Sequence, residues 1–342
     1  MHYISQLFDY FSSDLLDKTA GILIAVVLGV LAVLMLAGKY LKRQPESKFD
    51  AAIVGKFNQR LQFWFMICAL LAVSLFLGPI PTVILFGLLS FWALREFITM
   101  TPTRLGDHRT LFWVFVGFTP VQYILVAFDQ YALFTVVIPV YASLFIPARI
   151  AFTGDRERFL ERTAKIQFGL LICVYSLSHA AALLNLNLVQ WQTGGWKPWG
   201  GKTAGLLIFF MIIVQVSDAL HFVWDRLFGK HLIASEVNET KTWEGLIGAA
   251  LCSALLGMIL QLLPITPFTW YGAALMALVI SVMASSGSMT MSAIKRDRGV
   301  KNYGTLVQGH VGILDRIDSI CFAAPIFFHL TRYFLSAAPI VP

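Results

Sequence analysis

The sequence predicts an all-α fold, a polytopic integral membrane helical bundle of about ten transmembrane helices. Three observations predict it. Of 342 residues, 58% are hydrophobic and 13% charged, against roughly 25% charged in soluble domains, and mean hydropathy is +0.73. The charges fall in connections between long charge-free segments. Those segments do not alternate apolar with polar residues as barrel strands would, which leaves helices as the spanning elements.

Windows of the roughly 20 apolar residues that a span requires fall near 19–38, 61–78, 80–98, 110–128, 131–152, 166–188, 204–224, 245–264, 268–289 and 319–338. Pro79 and Pro81 break one apolar run, 61–94, into two helices, and Pro264 and Pro267 separate the eighth span from the ninth. Ahead of the first span, Ile4, Leu7, Phe8, Phe11 and Leu15 follow helical spacing, so 1–18 reads as an interfacial amphipathic segment. It lacks the basic front of a cleaved signal peptide. The remainder divides into N-terminal membrane helices, 19–200, and C-terminal membrane helices, 201–342, within one structural domain. Cys68, Cys173, Cys252 and Cys321 all fall within spans and lack metal-ligand spacing, so they read as buried, inert thiols.

Basic residues accumulate in cytoplasmic loops. Numbering the connections alternately puts all but Lys18, Lys197, Lys202 and Arg332 of the 26 lysines and arginines in one set. This predicts an N-terminus outside and a cytoplasmic loop between the last two spans. The net charge of +7 then belongs to one membrane face, which points to anionic lipid headgroups and away from nucleic acid. Topology and headgroup attraction account for the loops 39–60 and 149–165. They do not account for the acids mixed with bases at 292–319.

Three polar clusters lie in the C-terminal half. In the first, Gln215 to His231, Asp218 and His221 stand three apart on one helix face inside a span. An intramembrane acid is costly and marks a functional candidate, whereas His221 reads as a hydrogen-bonded core histidine. In the second, Asn238 to Gly248, Thr240 or Thr242 caps a helix that begins near Trp243 with Glu244 in its first turn. Lys241 at that helix N-terminus suits phosphate contact. In the third, Ser292 to Ser319, Asp315 and Asp318 can coordinate a hard cation such as Mg²⁺. Lys295, Arg296, Lys301 and Arg316 can neutralise phosphates. Gly299, Gly304, Gly309 and Gly312 let the backbone approach a ligand. The combination suits a nucleoside triphosphate with a divalent metal.

The third stretch resembles the C-terminal signature of the phosphatidate cytidylyltransferases (CDP-diacylglycerol synthases). That signature reads S, two residues, K-R, four residues, K-D, then H-G-G, two residues, D-R, one residue, D. Ser292, Lys295, Arg296, Lys301, His310, Gly312, Asp315, Arg316 and Asp318 stand in register with it. Upstream, Asp218, Gly229 and Lys230 agree, and Lys241, Thr242, Trp243, Glu244 and Gly245 match the family's K-T-W-E-G segment. The resemblance covers roughly 215–319. Asn302, Val311 and Ser288 depart from the pattern.

The resemblance implies transfer of CMP from CTP to phosphatidic acid, giving CDP-diacylglycerol and pyrophosphate at the cytoplasmic face. By it, Asp315 and Asp318 hold Mg²⁺, with Asp218 as a further acid of the site. Lys241, Lys295, Arg296, Lys301 and Arg316 hold phosphates. His310 orders the loop or touches nucleotide, and Thr242, Glu244 and Ser292 belong to the substrate site. The partners expected are CTP, a lipid phosphate and membrane lipids, and a homodimer is compatible. Alternatives are a cytidylyltransferase for another lipid phosphate, such as an isoprenoid one, and a non-catalytic membrane paralogue weakened at Asn302 and Ser288. A CDP-alcohol phosphotransferase lacks support, because that family's D-G, A-R and spaced-aspartate pattern does not precede Asp315. A transporter lacks support because no broken helices stand in matching halves.

Overall fold

The computed structural model describes residues 16–41, 51–100, 103–192, 195–299 and 312–336, with backbone alone at 41, 51–60, 63 and 191–192. The amphipathic segment expected before residue 16 lies outside these residues, as do Lys301, Asn302, His310 and Val311. The described chain is all-α apart from one hairpin. Its helices are α1 (Lys18–Leu41), α2 (Ala51–Leu77), α3 (Pro79–Met100), α4 (Leu105–Ala127), α5 (Tyr131–Ala151), α6 (Phe159–Asn185), α7 (Thr203–Phe228), α8 (Trp243–Leu260), α9 (Trp270–Asp297) and α10 (Leu314–Leu335). Strands β1 (Val189–Gln192) and β2 (Gly195–Pro198) pair antiparallel between α6 and α7.

Each helix covers one of the expected spans. Among the described residues, eight are long and apolar enough to cross a membrane. The other two are α2, whose apolar part is the shorter stretch Trp64–Leu77, and α10, which carries Asp315, Arg316, Asp318 and Arg332. The break expected at Pro79 falls at Gly78, whose φ of +119° a residue with a side chain would rarely adopt. Between α8 and α9, the Thr269 side chain caps α9 by accepting from the Gly272 N–H at 3.3 Å.

The chain divides into two compact units, Met1–Thr82 and Val83–Pro342. In the first, α1 packs against α2. In the second, α7, α8, α9 and α10 pack on one another in sequence, α7 also meets α9 and α10, and α6 packs on α10. Phe209 and Phe210 of α7 stack on Phe327 of α10, at centroid distances of 6.2 and 5.3 Å.

Helices α4, α5 and α6 each contain one wide turn, at Trp113–Phe118, Val137–Ala142 and Leu171–Ser176. Such π-type turns displace the regular bonding by one residue. In two of them a hydroxyl five residues on compensates: Thr119 donates to the Val114 carbonyl at 2.8 Å and Ser143 to the Ile138 carbonyl at 3.2 Å. Pro147 inside α5 has no N–H to offer the Ser143 carbonyl. The Gln167 side chain of α6 donates to that carbonyl at 2.6 Å instead, so a helix defect becomes an interhelical contact.

One reading of the charges is corrected. Arg162 belongs to a loop region assigned above to topology and headgroups, yet it is buried against Asp107. The Arg162 side chain is 5% exposed and that of Asp107 1%. Its Nε donates to both Asp107 oxygens at 3.0 Å, and its Nη1 reaches Asp155 at 3.0 Å. Arg104 extends the cluster to Asp155 at 3.1 Å and to Glu157.

Candidate active site

The site is assembled at one end of the α7–α10 group, where α7 and α9 finish and α8 and α10 begin. Helix α9 continues to Asp297, past the expected end of its span, because nothing in the sequence stops it before Gly299. At φ +69° that glycine closes the helix in the left-handed conformation. Ser292, Lys295 and Arg296 therefore ride on the last turns of a helix, and Asp315, Arg316 and Asp318 on the first turns of the next. The stretch expected as a single charged loop is two helix ends with a shorter connection between them.

These ends converge with α7. Lys295 Nζ lies 2.8 Å from Asp315 Oδ1, both side chains being largely buried. Asp318 is 7% exposed. The Ser319 hydroxyl donates to Asp218 Oδ1 at 3.0 Å and lies 3.5 Å from Asp318 Oδ1, while the Ser319 N–H donates to that same Asp318 oxygen at 2.8 Å. Two carboxylates from different helices thus meet around one hydroxyl. Helix α9 packs closely on the same part of α10: a Cβ on Gly287 would lie 2.7 Å from the Asp318 carbonyl oxygen. Arg316 is half-buried in the same first turn of α10.

The connection from α7 to α8 is fastened by two acids. Asp225 Oδ1 accepts from the Thr242 N–H at 2.9 Å and from its hydroxyl at 2.7 Å. The Thr242 hydroxyl in turn accepts from the Gly245 N–H at 3.1 Å, so Thr242 caps α8 and Thr240 does not. Glu244 accepts from the backbone N–H groups of Lys230 and His231 at 3.2 and 3.1 Å, and from the His231 ring. In this arrangement the Glu244 carboxylate closes the turn at 230–231. Asn238 donates to Ser292 Oγ at 3.3 Å and Arg296 Nε to the Val237 carbonyl at 3.3 Å, which ties the same connection to α9.

Between these layers sits His221, fully buried. Its Nδ1 lies 2.9 Å from Ser285 Oγ and 3.0 Å from Lys241 Nζ. An ammonium can only donate, so Nδ1 accepts and Nε2 carries the proton, facing Asp225 Oδ1 at 3.6 Å. A carboxylate, an imidazole and an ammonium therefore stand in line, and the core histidine of the sequence reading aims Lys241.

The structure thus brings Asp218, Asp315, Asp318, Lys295 and Ser319 into one cluster. Lys241, Thr242, Glu244, Ser292 and Arg296 line the layer beside it. Asp225, Ser285 and Ser319 were not singled out by sequence. Asp225 had a readable signal, standing seven residues after Asp218 and four after His221 on one helix face. The donors of the acid cluster are oxygens, which is the chemistry a hard divalent cation prefers. Among the described residues, no group of three His, Cys, Asp or Glu side chains is close enough to hold a metal by itself. A cation here would complete its shell with phosphate oxygens and water.

A model of the cytidylyltransferase family matches residues 58–334. The chain is 33% identical over 323 residues to uncharacterized protein YnbB of Escherichia coli K12, covering 93% of this chain and 99% of that protein. It is 29% identical over 202 residues to a phosphatidate cytidylyltransferase of Brucella suis biovar 1, covering 54% of this chain and 71% of that one. It is 34% identical over 120 residues to a phosphatidate cytidylyltransferase of Staphylococcus epidermidis, covering 35% of this chain and 46% of that one. This multi-pass chain belongs to the cytidylyltransferase family.

Proposed function

We propose that the protein is a phosphatidate cytidylyltransferase, transferring CMP from CTP to phosphatidic acid to give CDP-diacylglycerol and pyrophosphate. The observation that carries the reading is the convergence of Asp218, Asp315 and Asp318 with Lys295 at the helix ends that bear the signature. The lipid phosphate is already an anion, so its oxygen attacks the α-phosphorus of CTP without a general base. The new P–O bond forms as the bond to the β-phosphate breaks, and pyrophosphate leaves with that electron pair. The protein must bring two anions together and offset their repulsion.

Lys295, Arg296 and Lys241 would hold phosphates, with Arg316 and Lys301 as further cations of the signature. Lys241 is held in place by the His221 ring at 3.0 Å. Asp318 and Asp218, with Asp315 beside them, would offer carboxylate oxygens to Mg²⁺, whose shell phosphate oxygens and water would complete and which would supply charge neutralisation at the phosphates. The site would face the cytoplasm, where soluble CTP meets a lipid headgroup. The asymmetry of basic residues supports that orientation.

Purified protein in detergent, given labelled CTP, phosphatidic acid and Mg²⁺, should form a labelled liponucleotide. Replacing phosphatidic acid with an isoprenoid phosphate should abolish it. Product from the isoprenoid phosphate alone would move the assignment to that substrate, and CTP binding without product from either would indicate a non-catalytic paralogue.

A further inference from the structure

We infer that Glu96, on α3 and outside the 215–319 region, is a positioning residue that seats the helix bearing the catalytic acids. Its two carboxylate oxygens act separately. Oε1 accepts from the Ile313 N–H at 3.0 Å and Oε2 from the Leu314 N–H at 2.8 Å. The leading N–H groups of a helix have no intrahelical partner. Helix α10 begins without a cap of its own, because Ile313 at the cap position has no polar side chain. A carboxylate from 217 residues earlier in the chain occupies that place, charge-assisted and at the favourable end of the helix dipole.

A two-point hold fixes more than the presence of the helix. Asp315 lies one residue beyond Leu314, and Asp318 three further on. A slip of one residue would move α10 by roughly 1.5 Å and turn it by about 100°. That motion would carry both acids away from Lys295 and Asp218. Glu96 itself is held firmly. The next residue, Phe97, packs so closely on α6 that a Cβ on Gly169 would lie 2.6 Å from its ring. The seat of the catalytic acids is thus referenced to α3 and α6, helices that carry no signature residue. The inference rests on the proposed reaction for its catalytic half.

Two measurements on Glu96→Ala and Glu96→Gln in detergent test it, with hydrogen–deuterium exchange read beside steady-state kinetics. In Glu96→Ala the amides of 313–318 should exchange faster while peptides of α7 and α8 stay at the parent rate. The kcat for liponucleotide should fall ~10-fold with the KM for CTP within ~2-fold, the pattern of a lost transition-state arrangement. Glu96→Gln retains one acceptor and should recover part of both. Unchanged exchange at 313–318 would overturn the seat, and faster exchange with unchanged kcat would overturn its catalytic role. A parent that makes no liponucleotide would overturn the proposed function and the catalytic half of the inference together, while exchange would still decide the seat.

Discussion

Two buried charged clusters in the Val83–Pro342 unit place their charges in opposite ways. Around Arg162, the fork of one guanidinium meets both oxygens of Asp107, with Asp155 alongside. Around Ser319, two carboxylates, Asp218 and Asp318, approach the same hydroxyl from different helices, with the Lys295–Asp315 pair beside them. The first pairs opposite charges and is what architecture requires of an ion taken out of water. The second brings like charges together, which is costly unless a proton or a metal cation neutralises one of them. Burial alone does not mark a functional charge.

The largest expected effect breaks the architectural cluster. Arg162→Ala leaves Asp107 buried without its partner and should destabilise the protein by about 3–5 kcal/mol, read as a lowered thermal midpoint in detergent. Arg162→Ala with parental stability would show that the pair is not structural. The opposite profile is expected at the acids. Asp318→Ala should cost at least ~10²-fold in turnover, roughly 3 kcal/mol of transition-state stabilisation, and leave the midpoint unchanged or raised. An active Asp318→Ala enzyme would remove Asp318 from the mechanism.

A third substitution sharpens the contrast at the layer joining α7 to α8. A Cβ on Gly245 would lie 1.9 Å from Asp225 Oδ1 and 2.8 Å from the His221 ring. Gly245→Ala should therefore cost about 1–3 kcal/mol of stability through overpacking. It should also disturb Lys241 through His221, raising the KM for CTP. A normal KM would separate the His221–Lys241 alignment from nucleotide binding.

What the sequence disclosed depended on the range of the interaction. The proline break near 79 and the turn at 264–267 are local, decided by residues within a few positions, and could be read directly, whereas the cap of α8 was legible only as Thr240 or Thr242, the choice resting on the Thr242 hydroxyl that accepts from Gly245. The joining of Asp218 to the 315–318 acids was legible only as a shared polar chemistry, because Ser319 reaches Asp218 across 101 residues. The Arg162–Asp107 pair and the Glu96 seat were not legible. A lone arginine or glutamate at a helix end looks the same whether it faces headgroups or a partner 55 or 217 residues away. The repair of the Pro147 defect in α5 was hidden for a related reason, since the Gln167 side chain that donates to the Ser143 carbonyl comes from the neighbouring helix α6.

The Asp218–Asp318 pair is proposed as a cation site. It is tested most directly by titrating Mn²⁺ into the purified protein in detergent with CTP present, following free Mn²⁺ by electron paramagnetic resonance, for the parent and for Asp318→Asn. Saturable binding is expected for the parent, with affinity weakened by ~10-fold or more in Asp318→Asn, because a neutral amide replaces a carboxylate ligand. Equal affinity in the two proteins, or no saturable binding by the parent, would contradict it.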